Sequence, residues 1–358
     1  MIKTTEQLEK IIQKLKNEPY IAVDTEFLWR STYYPKLCLI QIATKSECFI
    51  IDTLSDQIDL APLKLIFEDE NIIKILHAYS QDIKIIYKDI KAKIHPFFDT
   101  QIAGEFLGLS HQCSLQGLLS EFKIAEIDKS QTLTDWTKRP LTSKQLEYAE
   151  EDVIHLIQTY HQLQALLISQ KKDQWIHNDF LSITQDNSNY EQPDPKEVYK
   201  KISSYRRADH KGKYIIRELC TWREIFAQDK NMCQQWVISN KSIVEIAKYK
   251  PFSLSNLKEY IFCLHEKQIR KYGKKILDII LDSDDYQPES YIKNDSFKKV
   301  SSEQVKSASE KLATLCGEYN IIPQTVAPKH QIKLFLNSEG KQSTLSSGWR
   351  YEYFGQYL

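Results

Sequence analysis

Four carboxylates and one phenol set this chain apart by residue type and spacing. Asp24 and Glu26 form a D-x-E pair where the apolar run YIAVDTEF ends. On a strand, residues two apart share a face, so the two carboxyl groups lie side by side. One acid at a strand end usually caps or solvates something, and Asp24 alone would favour that structural reading. Two adjacent carboxylates repel each other at neutral pH, and a divalent cation between them accounts for the pairing. Asp82 in LHAYSQDIKII and Asp152 in YAEEDVIHL supply two further acids, and Tyr148 precedes Asp152 by four residues. On a helix, positions i and i+4 share a face, so that phenol and carboxylate can enter one site.

The elements that would carry these groups follow from the hydrophobic pattern. YIAVDTEF, LCLIQIAT, CFIIDTL, IIKILHA and IHPFFDT are β-rich runs that alternate with amphipathic stretches, which predicts a mixed sheet flanked by helices, an α/β fold. From about residue 100 the pattern turns helical, with Ile102, Phe106 and Leu109 as one face, and a further helix is expected from about Ser143. The polar stretch ITQDNSNYEQPDPKE carries two prolines without periodicity and marks a domain boundary. Beyond it, Ile215, Leu219, Trp222 and Phe226 form one helical stripe, and Val305, Ala308, Leu312, Leu315 and Tyr319 form another after a second polar stretch.

Composition bounds the class. With 358 residues, 42% of them hydrophobic, the chain can build two or three domains with well-buried cores. No run approaches membrane-spanning length, and the first twenty residues lack a signal-peptide core, so a soluble intracellular protein is expected. Seven scattered cysteines without a C-x-x-C pair predict buried reduced thiols, not a zinc knuckle or a disulfide framework. The net charge of zero divides into −9 over residues 1–195, +10 over 196–280 and −1 over 281–358. Acidic clusters can hold cations and basic segments attract nucleic acid, although either imbalance is also met on ordinary solvated surfaces.

VDTEF, LHAYSQD and YAEEDV, in that order, resemble the three exonuclease motifs of the DEDD superfamily. Tyr148, four residues before Asp152, resembles the tyrosine branch, DEDDy; Glu147 stands where the other branch would place a histidine. The flanks DTEFLWRSTYYPKLCLIQIA, HPFFDTQIA and LTDWTKRPLTSKQLEYAEEDV extend the similarity to the ribonuclease D family over most of residues 18–165. The basic segment containing ELCTWREIFAQDKNMCQQWVISNKSIVEIAKYKPFSLSNLK resembles an HRDC domain, a helical nucleic-acid-binding module, and the last segment is similar to that family's second, divergent HRDC-like domain. The resemblance implies a ribonuclease H-like exonuclease domain over residues 1–190, an HRDC domain over 205–283 and the divergent one over 295–358. It also implies 3′→5′ hydrolysis of RNA, with tRNA precursors as substrate and nucleoside 5′-monophosphates as products, by a cytoplasmic monomer.

Hydrolysis of a phosphodiester needs an activated water and relief of charge on phosphorus and the leaving oxygen, and two metal ions can supply these. By the resemblance, Asp24 bridges both ions, Glu26 and Asp152 complete the nucleophile-side ion, and Asp82 holds the other. Tyr148 orients the attacking water, since an ordinary phenol stays protonated at neutral pH. Hard oxygen ligands without Cys or His favour Mg²⁺ or Mn²⁺ over zinc. A DNA 3′→5′ exonuclease and an inactive nucleic-acid-binding scaffold are the competing functions.

Around these groups the residues carry milder expectations. Asp99 before a helix reads as an N-cap and His77 as a packing histidine; Glu150 and Glu151 read as solvated surface. Of the aromatics Phe27, Trp29, Tyr33 and Tyr34, Phe27 and Tyr34 are the candidates for stacking on substrate, because they flank the acidic pair. Lys129, Trp136 and Arg139 lie in a polar loop, with Lys129 as a candidate phosphate contact, Arg139 reading equally as a phosphate contact or a structural anchor, and Trp136 as structural. Arg206, Arg207, Lys211 and Lys213 form a basic cluster suited to phosphate, Arg206 and Arg207 foremost.

Overall fold

The computed structural model describes residues 1–127, 134–284 and 300–358. They form two compact units: residues 1–27 and 37–190 with the C-terminal segment, and residues 28–36 with the segment from 191. The break after Tyr190 falls inside the polar, proline-bearing stretch.

The first unit is built on a five-stranded sheet of order β3-β2-β1-β4-β5, with β1 Tyr20–Leu28, β2 Lys36–Ala43, β3 Cys48–Asp52, β4 Ile73–Leu76 and β5 Phe97–Asp99. β1, β4 and β5 run parallel, and β2 pairs antiparallel with β3. Ile21, Ala22 and Val23 are fully buried at the start of β1, and β2 is buried from Leu37 to Ala43, which explains its nearly unbroken apolar sequence. Helices Asp82–Ile90, Ser143–Ile154 and Leu156–Ser169 belong to the same unit, and the second starts at a capping box made by Thr142 and Gln145.

The face expected from Ile102, Phe106 and Leu109 is displaced. The helix Thr100–Phe106 ends before a left-handed turn at Gly108, so Ala103, Gly104 and Phe106 make its buried side, while Ile102 and Leu109 are only partly covered. A period read across a helix end loses its meaning there.

Packing places residues 300–358 in the first unit. Leu312, Cys316, Trp349 and Phe354 join the core that contains Phe106 and Trp175, and Trp175 stacks on Trp349 with ring centroids 4.9 Å apart. Polar anchors accompany the apolar contact. Lys172 Nζ donates to the carbonyls of Phe106 (2.7 Å) and Asn320 (2.9 Å), Thr325 Oγ1 donates to Glu105 (2.7 Å), and Arg350 forks onto Asp179 with two bonds of 2.6 Å.

The second unit packs helices Asn240–Tyr249, Leu254–Tyr260 and Glu266–Asp282 with the long helix His210–Asp229. Ile215 and Leu219 are buried as the stripe requires, while Trp222 and Phe226 set their rings edge-on to Tyr272. All seven cysteines are free thiols, and Cys48, Cys233 and Cys263 are partly exposed instead of buried. Among the described residues no helix is long and apolar enough to cross a membrane.

Candidate active site

The acidic pair lies within β1, two residues from its end, and not beyond it. Asp24, Glu26 and Asp152 each offer a carboxylate oxygen, and the three atoms lie within 4.8 Å of one another. Two elements create this proximity: the period of β1 sets Asp24 beside Glu26, and the helix Ser143–Ile154 brings Asp152 to them. Tyr148, one turn earlier on that helix, is partly exposed like Asp152, and its ring lies 6.0 Å from that of Trp136. Trp136 itself is buried, as a structural residue should be.

Asp82 is buried at the first turn of its helix, and its carboxylate accepts the hydroxyl of Thr25. Thr25 was not singled out by its sequence position, although it is the middle residue of the D-x-E pair. The turn before Asp82 is held by Ala78 in a left-handed conformation (φ 60°) and by Asp99. Asp99 caps its own helix through Ile102 N (2.9 Å) and also accepts from Tyr79 N (2.8 Å). His77 packs as expected, with Nδ1 2.9 Å from Thr100 Oγ1.

Burial first, and like charges second, raise the carboxylates of the cluster. Burial, followed by the charges of Asp82, Asp152 and Glu26, pushes Asp24 well above the carboxylate range. Burial and the charges of Asp152 and Asp82 push Glu26 up to about 9. Burial lifts Asp82 to about 7 against the opposing Thr25 hydrogen bond. Such a cluster suits a divalent cation, because a cation would remove the repulsion between hard carboxylate oxygens.

The expected substrate contacts divide. Phe27 is half-buried against the core of the first unit. Tyr34 belongs to the second unit, where its ring meets Tyr33 edge-on at 4.8 Å. Arg206 and Arg207 are exposed on a 3₁₀ turn of that unit, whereas Lys211 pairs with Asp284 at 2.6 Å. Lys129 lies outside the described residues.

Of the two readings open for Arg139, the structure takes the structural anchor over the phosphate contact. Nε and one Nη grip the Asp52 carboxylate at 2.8 and 2.6 Å, and the remaining N–H groups go to the carbonyls of Cys38, Trp136 and Lys138. A guanidinium has five N–H donors, and all five are engaged inside the protein, so none remains for substrate. Its partner Asp52 lies 87 residues away in sequence, which is why the loop alone could not decide between the two roles.

Comparison with known proteins bears on this geometry. The 3'-5' exonuclease family matches residues 1–168 and the HRDC domain family matches residues 213–280. Ribonuclease D of Desulfotalea psychrophila is 34% identical, covering 99% of this chain and 96% of its own, and that of Gluconacetobacter diazotrophicus is 30% identical over 99% and 90%. The crystal structure of Escherichia coli RNase D, described as an exoribonuclease involved in structured RNA processing, superposes with a TM-score of 0.89 at 26% identity, covering 100% of this chain and 96% of that one. The catalytic core of RRP6 from Trypanosoma brucei matches at a TM-score of 0.65 and 27% identity over 79% of each chain. A ribonuclease H-like sheet that gathers carboxylates, followed by an HRDC domain and matched to these relatives along nearly its whole length, places this chain in the ribonuclease D family of 3′→5′ exoribonucleases.

Proposed function

We propose that this exoribonuclease trims the 3′ ends of structured RNAs, tRNA precursors among them, in the cytoplasm and as a monomer, releasing nucleoside 5′-monophosphates. The observation that carries the reading is the convergence of Asp24 and Glu26 of β1 with Asp152, their carboxylate oxygens within 4.8 Å of one another, Asp152 standing one helical turn after Tyr148. Asp24, Glu26, Asp82 and Asp152 would hold two divalent ions, Mg²⁺ or Mn²⁺. Such ions, when bound, generate a nucleophile at neutral pH and neutralise charge on the phosphoryl and leaving oxygens.

The protein's own groups do the rest. Thr25 donates to Asp82 and fixes the direction in which that carboxylate faces the site. Tyr148 orients the attacking water through its hydroxyl and does not act as a base, since a phenol with a pKa of about 10 keeps its proton at neutral pH. Phe27 and Tyr34 would stack on the terminal nucleotides, and exposed Arg206 and Arg207, with Lys129, would meet the phosphates. In this reading residues 1–190 are the exonuclease domain, 205–283 the HRDC domain and 295–358 a second, divergent HRDC-like domain.

The test is a time course on 5′-labelled RNA and DNA of one sequence, with Mg²⁺, with Mn²⁺ and with chelator, comparing wild type with Asp24→Asn. The expected result is a metal-dependent ladder shortening from the 3′ end of RNA and absent in the variant. Cleavage that persists in chelator, or equal cleavage by the variant, would refute the assignment of these carboxylates.

A further inference from the structure

β2 carries a buried amide that finds no partner in the first unit. Gln41 is fully buried, and neither Nε2 nor Oε1 meets a hydrogen-bonding group among the described residues. A buried amide left unpaired is costly. Its neighbours Ile40 and Ile42 are buried apolar residues, so the packing of β2 does not itself call for a polar group at this position.

Strand pairing fixes the face on which Gln41 stands. In the antiparallel ladder Gln41 lies opposite Ile50 and Leu39 opposite Asp52, and residues paired across a ladder share a face, so these four stand on one side of the sheet. The helix Ser143–Ile154 lies over that side. It packs against β3, and Arg139, just before it, reaches Asp52. Burial, and then the charge of Glu150 on this helix, raise the thiol of Cys48, two positions before Ile50. Leu39, Ile50, Trp136 and Ala149 are buried without joining the main core of the unit. The same helix brings Asp152 to Asp24 and Glu26, which puts the acidic pair on this side as well, whereas Thr25 between them turns away to Asp82. β1 and β2 are neighbours in the sheet, and neighbouring strands lie about 4.8 Å apart. Gln41 and the acidic pair thus share one face of adjacent strands, beneath one helix.

Carboxylates that ligate a metal are themselves held by hydrogen bonds. An amide supplies N–H donors without adding charge to a cluster already crowded with carboxylates. We infer that Gln41 is a positioning residue for the acidic pair: its amide donates to the Asp24–Glu26 carboxylates in the arrangement that holds a divalent cation, and so sets the affinity for that ion. The inference rests on the reading of the acidic site given above. It gives the buried amide its partner in the metal-bound enzyme and no part in holding the metal-free fold.

The test titrates Mn²⁺ by calorimetry, without RNA, into full-length wild type, Gln41→Met and Gln41→Leu, with Asp24→Asn as control, and records the melting temperature of each metal-free protein. Both substitutions fill the space and remove only the amide. The expected result is a Kd for Mn²⁺ raised about 10- to 100-fold, with a metal-free melting temperature equal to or above that of wild type. In parallel, kcat on a 5′-labelled RNA should return to within about threefold of wild type once Mn²⁺ is raised to saturation. A Kd within about twofold of wild type would overturn the inference. So would a metal-free melting temperature lowered by more than about 5 °C in both variants, because an amide without a partner has no bond to lose. Binding of Mn²⁺ by Asp24→Asn as tight as by wild type would instead overturn the reading of the acidic site, and this inference with it.

Discussion

Replacing Arg139 by Met separates a structural anchor from a substrate contact. The side chain of Asp52 is 4% exposed and that of Arg139 24%, so the change strands a buried carboxylate while opening a path for water toward it. Breaking a buried pair by removing one partner costs about 3–5 kcal/mol, and the partial exposure of Arg139 argues for the lower end, about 3 kcal/mol. For a unit of this size that corresponds to a melting temperature lowered by roughly 6–12 °C. Burial raises the Asp52 carboxyl, but the hydrogen bonds and charge of Arg139 outweigh it and hold the group below its ordinary range. The stabilisation is therefore present in full above the unfolded-state pKa of about 4 and fades as pH falls through the lower folded value. Thermal and urea melts of wild type and variant between pH 3 and pH 8 should show a gap at neutral pH that closes in acid. The variant's KM for RNA, measured below its melting temperature, should match wild type. A melting temperature within about 2 °C of wild type, together with a raised KM and a shallower salt dependence, would refute the anchoring argument and restore Arg139 as a phosphate contact.

Other perturbations test other parts of the molecule. Tyr148→Phe should lower kcat by about 10-fold or more while calorimetry shows unchanged Mn²⁺ binding; full turnover would remove the hydroxyl from the mechanism. Lys74 is fully buried, its ammonium donates to the carbonyls of Asp69 and His95, and burial lowers its pKa to about 7. Because the unfolded chain then binds more protons above pH 7, wild-type stability should rise relative to Lys74→Met by up to about 1.4 kcal/mol per pH unit between pH 7 and 9, as read by urea melts. Arg350→Leu removes the fork onto Asp179 and should destabilise the first unit by about 3 kcal/mol, with hydrogen exchange speeding up first around residues 323–326; uniform exchange along the chain would contradict it.

The residues best read from sequence were those whose geometry is local. The two-residue period of β1 aligned Asp24 with Glu26, the four-residue spacing aligned Tyr148 with Asp152, and the Asp99 cap needed only Ile102, three residues on. What escaped was decided by partners far away in sequence. Arg139 finds Asp52 across 87 residues, Thr25 finds Asp82 across 57, and Tyr33 finds Glu224 across 191. Of the helical stripe Val305, Ala308, Leu312, Leu315 and Tyr319, the first three are buried and the last two are partly buried against the same core. A stripe states that a face is covered without stating what covers it, so the shared core with Phe106 and Trp175 could not be foreseen.

That shared core imposes an order of events during synthesis. Trp175 and Phe106 emerge from the ribosome long before Trp349 and Phe354, and the whole helical unit is translated in the interval. At ordinary elongation rates the stretch between residues 190 and 300 takes about 5–20 seconds, during which a nascent sheet keeps an apolar flank open to water. The Thr325–Glu105 and Arg350–Asp179 bonds close loops of 220 and 171 residues, so a large chain entropy opposes the steps that dock the C-terminal segment. A hydrolase of RNA made beside ribosome-bound transcripts thus completes its own framework late, after the residues that would cut have already left the exit tunnel.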